Sequence, residues 1–510
     1  MTESLNAGGL RCFSGYNEIT EPLDYPPCAP QHQPHSLDQA MQLRLIFSCC
    51  LIQLFLNLGV VPNPAGPLSA QEKGTLIPVP RDTLPSKTEA VEAHLGYVTD
   101  YCLDEYGKKA TGIWLGQIDI RTSKLPEKLD KLQNADAPPR WTQANLYLDQ
   151  PTMVAAIEMG RRTGCKCYQD SITRYLQEHL TLLSPNTKDP YGIALHQFYD
   201  LISDQFEGEI PEAFFQHHVP AWEILAKESA RFTTFRIQTL LNESNQRHSA
   251  KPAPAVSRNL ASTEIIHQSI ALLSFAWLAE RYPAAAESMI GLAVSVLKSG
   301  SQRINQATHC SANQKGLWLK ALIALSDMSE HYPDDHANEE RAELAREVKR
   351  SLEQATLNVE SNSHETLIIP RDGSEVNTWI RNELILGEAC LSAWQFTKDV
   401  RFLKVVTDRS EFFRKSIDDA SVKIDQAEAY GRLIHFFQHF GRTTRDHSSQ
   451  QFALRLGDEA MRTLYEPRMG MFRSREDADI CDSRDGPGFL LLALLSLEGN
   501  DPTTVSTLTF

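Results

Sequence analysis

The sequence lacks the features that identify several common classes of protein. It has no excess of positive charge, since 50 Lys and Arg residues stand against 65 Asp and Glu residues, for a formal net charge of -15. A general nucleic-acid-binding protein needs a basic face, so we expect no nucleic acid partner. No segment recurs at the period of about 34 residues that marks tetratricopeptide solenoids. A local cluster of arginines can still bind an anionic polymer within an acidic protein.

Metal-binding patterns are also missing. Ten cysteines are present, but no two of them form a CxxC pair. Cys165 and Cys167 are separated by one residue, which is too tight for an ordinary disulfide, and no second ligand pair accompanies them for zinc. No calcium loop of the EF-hand type occurs. We therefore expect mostly buried or idle thiols, and no metal or cofactor.

One long apolar run is present, at residues 43–61, with Arg44 near its start. Prolines and small residues follow it as far as Ala70. A charged start, an apolar run and a small-residue end make up a secretory signal, so we expect an exported protein, periplasmic or secreted. Residues 1–40 lack periodicity, which favours a native start at Met41. The run is also near membrane-spanning length. An uncleaved anchor, with the membrane as a partner, is the alternative.

Residues 71–510 are expected to form a single domain after the extension and signal or anchor at 1–70. This body carries 48 Lys and Arg against 60 Asp and Glu, a net charge of -12. Apolar residues recur at steps of three and four, which predicts about thirteen helices. Strand-like pieces are few and short: 111–121, 366–370 and 469–473. The polar stretch 242–258 is interpreted as a loop. The varied connections favour a closed ring of helical hairpins over a solenoid, so the predicted fold class is all-α, an (α/α)6-type toroid.

Three segments carry more polar and aromatic residues than helix packing needs. The first, residues 144–151, contains Asn145, Tyr147, Asp149 and Gln150. Pro151 is expected to open a helix here. Asp149 has two interpretations, a simple cap of that helix or a residue of a binding site.

The second segment is 191–204. If it is helical, His196 and Asp200 are four residues apart and share a face, with Tyr199 alongside. A His–carboxylate pair beside aromatic rings suits sugar binding, and the carboxylate could act as a general acid or base. A satisfied surface pair is the alternative. The helix predicted next, at 211–225, carries two further candidates, Trp222 and Glu223.

The third segment runs from Arg371 into a predicted helix that carries Trp379 and Arg381. Near the C-terminus, a further group combines arginines with aspartates: Arg473, Arg475, Arg484, Asp482 and Asp485. Arginines in such a loop can bind sugar carboxylates in a bidentate manner. Solvated loop charges are the alternative for each of them.

Several of these segments occur in a recognisable order: 106–109, 112–119, 144–151, 192–200 and 217–223. In this order they resemble a group of exported bacterial proteins labelled pectate-lyase-like or six-hairpin glycosidase-like. The resemblance is clearest over 90–227. It implies an (α/α)6 toroid that binds or cleaves a polysaccharide or oligosaccharide in a cleft at one end. The positions that match the motifs are Asp119, Asn145, Asp149, Gln150, His196 and Asp200.

Two mechanisms suit such a cleft. A glycoside hydrolase, the function we expect first, needs two carboxyl groups about 5–5.5 Å apart for retention or about 6.5–9.5 Å apart for inversion. The expected pairs are Asp200 with Asp149 and Asp200 with Glu223. A uronate lyase would use His196 or a tyrosine as base and Arg371 or the C-terminal arginines to neutralise the substrate carboxylate. A non-catalytic glycan-binding toroid is the third alternative.

Overall fold

The computed structural model describes residues 84–126, 142–182, 198–207, 218–249, 258–306, 310–331, 339–362, 367–370 and 373–499. The extension and apolar run expected at 1–70 lie outside these ranges. Within them the chain is mostly helical, as the sequence predicts. None of the helices in the described ranges is both long enough and apolar enough to cross a membrane.

The described helices follow one another along the chain, with connections of varied length. They are α1 (Lys87–Tyr101), α2 (Leu146–Thr163), α3 (Cys167–Leu182), α4 (Trp222–Glu228), α5 (Ala230–Ser249), α6 (Arg258–Arg281), α7 (Pro283–Glu287), α8 (Ile290–Gln306), α9 (Ala312–His331), α10 (Glu339–Asn362), α11 (Gly373–Thr397), α12 (Val400–Asp418), α13 (Ala427–Thr444), α14 (His447–Leu464) and α15 (Pro487–Glu498).

Short strands form three small antiparallel sheets. They are β1 (Gln117–Asp119), β2 (Gln143–Ala144), β3 (Phe198–Asp200), β4 (Gln205–Glu207), β5 (Tyr465–Glu466), β6 (Met471–Phe472) and β7 (Ile480–Asp482). β1 pairs with β7, β3 lies between β2 and β4, and β5 pairs with β6. β1 and β6 fall within two of the predicted strand-like pieces. The described part of the third, 367–370, forms no strand.

The helices pack against one another in pairs that include both near neighbours in the chain and helices from its two described ends. α11 lies between α9 and α13, and α9 also packs against α6. α13 packs against α14 and α15, and α15 packs against α2 and α1. These contacts bury one continuous apolar core. The two ends of the described chain meet, because the Glu498 carboxylate accepts hydrogen bonds from the backbone N–H groups of Lys87 at 3.0 Å and Thr88 at 2.9 Å.

The start of α2 differs from the prediction. Asn145 is the N-cap, and its side-chain oxygen accepts a hydrogen bond from the Leu148 N–H at 3.0 Å. Asn is a preferred capping residue, so the helix begins at Leu146 and Pro151 lies inside it. The interpretation of Asp149 as the N-cap residue is therefore wrong.

Within the described residues, two segments depart from the helical interpretation of the sequence. Residues 198–200 of the segment 191–204 form β3, where Tyr199 pairs with Ala144 on one side and Phe206 on the other. Aromatic residues favour such a pleated, paired setting. The helix predicted at 211–225 begins only at Trp222 within the described residues. Pro220 disfavours helical geometry in the residue before it, which delays the start.

The loop predicted at 242–258 is helical over its first part. α5 continues to Ser249 and α6 begins at Arg258. The polar residues Asn242 and Gln246 are exposed, whereas Leu241 and Ser244 are buried. The polar composition of this stretch therefore belongs to the outer face of a helix.

The cysteines follow the prediction only in part. Cys102, Cys390 and Cys481 are buried free thiols, as expected. Cys165 and Cys167 instead form a disulfide, so the expectation that they are too closely spaced is wrong. Their Cα atoms are 5.4 Å apart, which lies within the range that a disulfide can join.

Gly488 on α15 allows close contact with α2, and its replacement tests this packing. A Cβ atom at this position would lie 2.3 Å from the Thr152 backbone nitrogen. We expect Gly488→Ala to destabilise the fold by about 1–3 kcal/mol, because the two backbones must move apart. The matched control is Gly96→Ala in α1, where a Cβ atom would meet no other element of the described structure within 4 Å and the change should stabilise by about 0.5–1 kcal/mol. Denaturant unfolding of both variants measures the difference, and equal effects would contradict the close packing.

Candidate functional site

A short turn before the last helix gathers three ionisable residues. β7 ends at Asp482, and a 3-10 turn (Ser483–Asp485) leads to Gly486, whose φ of 64° lies in the left-handed region that glycine tolerates. The Asp482 carboxylate accepts hydrogen bonds from the Arg484 N–H at 2.9 Å and from the Gln117 side chain on β1. The pairing of β1 with β7 therefore fixes this turn in place.

Asp485 is the most unusual group of the turn. Its carboxylate accepts hydrogen bonds from Arg475 Nε at 3.1 Å and from Gln426 Nε2 at 2.5 Å. Burial raises its pKa, the charge of Asp482 raises it further, and Arg475 and Arg484 only partly oppose this, which gives a value of about 7. Asp485 is therefore a carboxyl group that can hold a proton at neutral pH while it remains partly exposed.

Asp149 lies behind this turn, at the start of α2. It is 3% exposed and accepts a hydrogen bond from Tyr175 Oη at 2.8 Å. Burial raises its pKa to about 7, helped by the charge of Asp482 and opposed by hydrogen bonds from Tyr175 and Ser483. The Ser483 hydrogen bond links α2 to the turn. Asp149, Asp482 and Asp485 thus form one group of interacting carboxyl groups, which we call the acidic turn.

A buried ion-pair group lies against the acidic turn. A Cβ atom on Gly486 would touch the side chain of Glu428, in the first turn of α13. Glu428 Oε1 lies 2.7 Å from Arg432 Nε, and Glu428 Oε2 lies 3.5 Å from the Arg381 guanidinium on α11. All three side chains are at least nine-tenths buried. Buried charges need such mutual compensation.

Aromatic rings surround the buried ion pairs. The Tyr147 ring stacks on the His218 ring with centroids 4.1 Å apart and planes 9° apart. Tyr147 Oη donates a hydrogen bond to the His218 carbonyl. The Arg432 guanidinium lies over the Phe489 ring, 4.2 Å from its centroid. Burial raises the pKa of Tyr147, although Arg432 and Arg381 oppose this. The starts of α2, α13 and α15 therefore carry carboxyl groups, arginines and aromatic rings together.

Some predicted site residues lie in this region and make hydrogen bonds that stabilise the fold. Gln150 Oε1 accepts a hydrogen bond from the Ala221 N–H at 2.7 Å. Trp222 Nε1 donates to Ser274 Oγ at 2.9 Å, and Glu223 beside it is half-buried in the first turn of α4. These contacts, with the one between Tyr147 and His218, bring the segments 145–150 and 218–222 together.

Asp200, which the sequence pairs with Asp149 or Glu223, accepts hydrogen bonds from other groups. Its carboxylate accepts hydrogen bonds from the Thr142 hydroxyl and from the N–H groups of Ile202 at 3.1 Å and Ser203 at 2.8 Å. Burial raises its pKa, but these hydrogen bonds outweigh burial and lower it. Asp200 thus stabilises the turn after β3, a role that leaves it a poor proton donor.

Other predicted site residues have partners of their own. Tyr199 Oη donates to Asp204, Asp119 pairs with Arg121, and Trp379 packs against Phe412 and Phe413. The C-terminal arginines are paired as well: Arg473 with Glu466 and Asp479, and Arg484 with Asp482. His196 and Arg371 lie outside the described residues.

Several residues of this region were not selected from the sequence. They are Glu428, Arg432, His435 and His439 on α13, with Lys320 on α9 and Glu388 on α11. The spacing of the four α13 residues, in steps of four, three and four, is the signal that could have identified them, because such steps fall on one helix face.

Comparison with known proteins identifies no family for this chain. No protein-family model matches this chain, and no curated protein matches it. The motif order described above therefore remains a resemblance.

Proposed function

We propose that this protein is a carbohydrate-active enzyme of the six-hairpin glycosidase type, which hydrolyses a polysaccharide or oligosaccharide at one end of a helical toroid. The observation that carries the proposal is the acidic turn. It combines two carboxyl groups that can be protonated at neutral pH, Asp149 and Asp485, with Asp482, which is held by Arg484 and Gln117.

Glycoside hydrolysis needs two carboxyl groups that play different roles. One acid of raised pKa protonates the leaving oxygen, and one carboxylate acts on the opposite side of the sugar. Asp485 suits the acid, because it is protonated near neutral pH and partly exposed. Asp482 suits the carboxylate, and the more deeply buried Asp149 holds the turn through Ser483. This assignment replaces the pairs that include Asp200.

The packing of the helices supports the toroid. α6, α9, α11, α13, α15 and α2 form a series of neighbours in which each member packs against the next. Other helices, among them α10, α12 and α14, pack against members of this series. The acidic turn lies where α2, α13 and α15 begin, so a cleft at that end would present the partly exposed Asp485 to a sugar chain.

A second candidate function has one observation in its favour. Arg381 and Arg432 lie beside Tyr147, an arrangement that could neutralise a uronate carboxylate in a β-elimination. The raised pKa of Tyr147 argues against this residue as the base. A uronate lyase therefore ranks below the hydrolase, and a non-catalytic glycan-binding toroid ranks third. Export, as a periplasmic, secreted or membrane-anchored protein, is proposed from the apolar run at 43–61.

A panel of neutral and acidic glycans tests the proposed function. New saturated reducing ends support the hydrolase, whereas unsaturated uronides, seen by ultraviolet absorbance, support the lyase. Glycan binding without either product supports the scaffold and contradicts the enzyme. Neither product nor binding on a broad panel would overturn the carbohydrate proposal as a whole.

A further inference from the structure

A second polar cluster lies farther along α13 than the acidic turn. It consists of Glu388 on α11 and of His435 and His439 on α13, which are four residues apart and share a helix face. His439 Nδ1 lies 2.7 Å from Glu388 Oε2, and His435 Nε2 lies 3.8 Å from Glu388 Oε1. One ligand atom from each residue can be chosen so that all three lie within 4.8 Å of one another.

Glu388 is buried with part of its carboxylate unsatisfied. It is 4% exposed, and its Oε1 atom accepts no hydrogen bond within the described part of the chain. Burying such an oxygen is costly unless a charge or a hydrogen bond compensates it. The side chains of His435 and His439 are 16% and 30% exposed, so the cluster is accessible to a small ion.

The three donor atoms suit a transition-metal ion. Bonds of about 2.0–2.2 Å to imidazole nitrogen and carboxylate oxygen place neighbouring ligand atoms of tetrahedral zinc about 3.4 Å apart. The two distances to Glu388, 2.7 and 3.8 Å, lie on either side of this value. Small rotations of the side chains would therefore bring all three into coordination. Two imidazoles with one carboxylate would leave the fourth position open to water or another ligand.

Positively charged side chains near the cluster oppose metal binding. The amine of Lys320 on α9 and the guanidinium groups of Arg432 and Arg442 on α13 act on the cluster. Burial lowers the pKa of Lys320 to about 8, although Glu388 raises it. Arg432 is paired with Glu428, and Arg442 donates to the Ser496 and Gly499 carbonyls. Lys320 is therefore the main competitor for the charge of Glu388.

We propose that Glu388, His435 and His439 form a binding site for a divalent transition-metal ion, with zinc as the ion to test. The site is separate from the acidic turn and does not depend on the proposed glycan chemistry. Binding requires that both imidazoles are unprotonated, so zinc affinity falls as the pH is lowered.

Isothermal titration of the chelator-treated full-length protein with zinc chloride tests the site. We expect one zinc per chain, and at least about 100-fold weaker binding after His439→Ala or Glu388→Gln, since even the loss of a residue that only orients a ligand costs about 10–100-fold. Lys320→Met should tighten binding. His447→Ala is the matched control, because this exposed histidine lies at the start of the adjacent helix α14.

X-ray absorption at the zinc edge provides a second measurement and should show two imidazole nitrogens. Glu388→Gln preserves the size of the side chain, so the test remains available if an alanine variant fails to fold. The proposal is overturned if the wild type binds no zinc, or if His439→Ala and Glu388→Gln bind as tightly as His447→Ala does. In that event the cluster has a structural role, in which His439 and Lys320 compensate the negative charge of Glu388.

Discussion

Asp485→Asn is expected to lower the turnover of a cleaved glycan by about 100- to 10,000-fold, the usual contribution of a general acid. Asparagine keeps the size of the side chain and can still accept a hydrogen bond from Gln426, but it cannot donate the proton that the leaving oxygen needs. Substrate binding should change far less than turnover, since the removed group acts in the transition state. Steady-state kinetics on a substrate identified from the glycan panel measures both.

The turnover of the wild-type protein should depend on pH. An acid acts in its protonated form, so turnover should fall as the pH rises through about 7, the pKa of Asp485. This decline should disappear in the residual activity of Asp485→Asn. Asp477→Asn is the matched control, because Asp477 is an exposed carboxylate before β7. Wild-type turnover in Asp485→Asn would remove the acidic turn from the mechanism.

Arg432→Met is expected to cost about 3–5 kcal/mol in the free energy of unfolding, the usual effect of removing one partner of a buried ion pair. Methionine retains much of the length of the side chain, so the loss is mainly that of charge and hydrogen bonding. Glu428 would keep the Arg381 guanidinium, at 3.5 Å, as an ion-pair partner. Denaturant unfolding monitored by circular dichroism gives the value.

An exposed ion pair provides the comparison for Arg432. Arg455 on α14 pairs with Asp418 on α12, and both side chains are about half exposed. Arg455→Met should cost no more than about 1 kcal/mol, because water screens such pairs. Similar costs for the two variants would show that Arg432 and Glu428 do not behave as a buried pair.

Much of the helical architecture could be predicted from the sequence, because most of the described helices have a buried and a more exposed face, whereas α15 is buried on all sides from Pro487 to Ser496. The spacing of apolar residues identifies α11 to α15 within a few residues. It fails where local pairing decides the structure: Phe198–Asp200 joins a small sheet with residues more than 50 positions earlier in the chain. It also fails for α5, whose polar outer face has the composition of a loop.

The candidate site could be predicted only in part. The local motif around Asn145, Tyr147 and Asp149 is compact in sequence, so its polar character is visible there. Asp482 lies more than 300 residues later and reaches Asp149 through the pairing of β1 with β7, which no local pattern reveals. Asp200 illustrates the opposite error, because a carboxylate that caps a turn cannot be distinguished from a proton donor by residue type.

The joining of the two ends of the described chain also governs how this protein can fold. β1 needs β7, and α1 and α2 need α15, so the early helices keep exposed apolar surface until almost all of the chain has been synthesised. Contacts that are so distant in sequence slow folding and leave the incomplete chain prone to aggregation. A chain that stops short of α15 would lack the helix that packs against both of its first two helices.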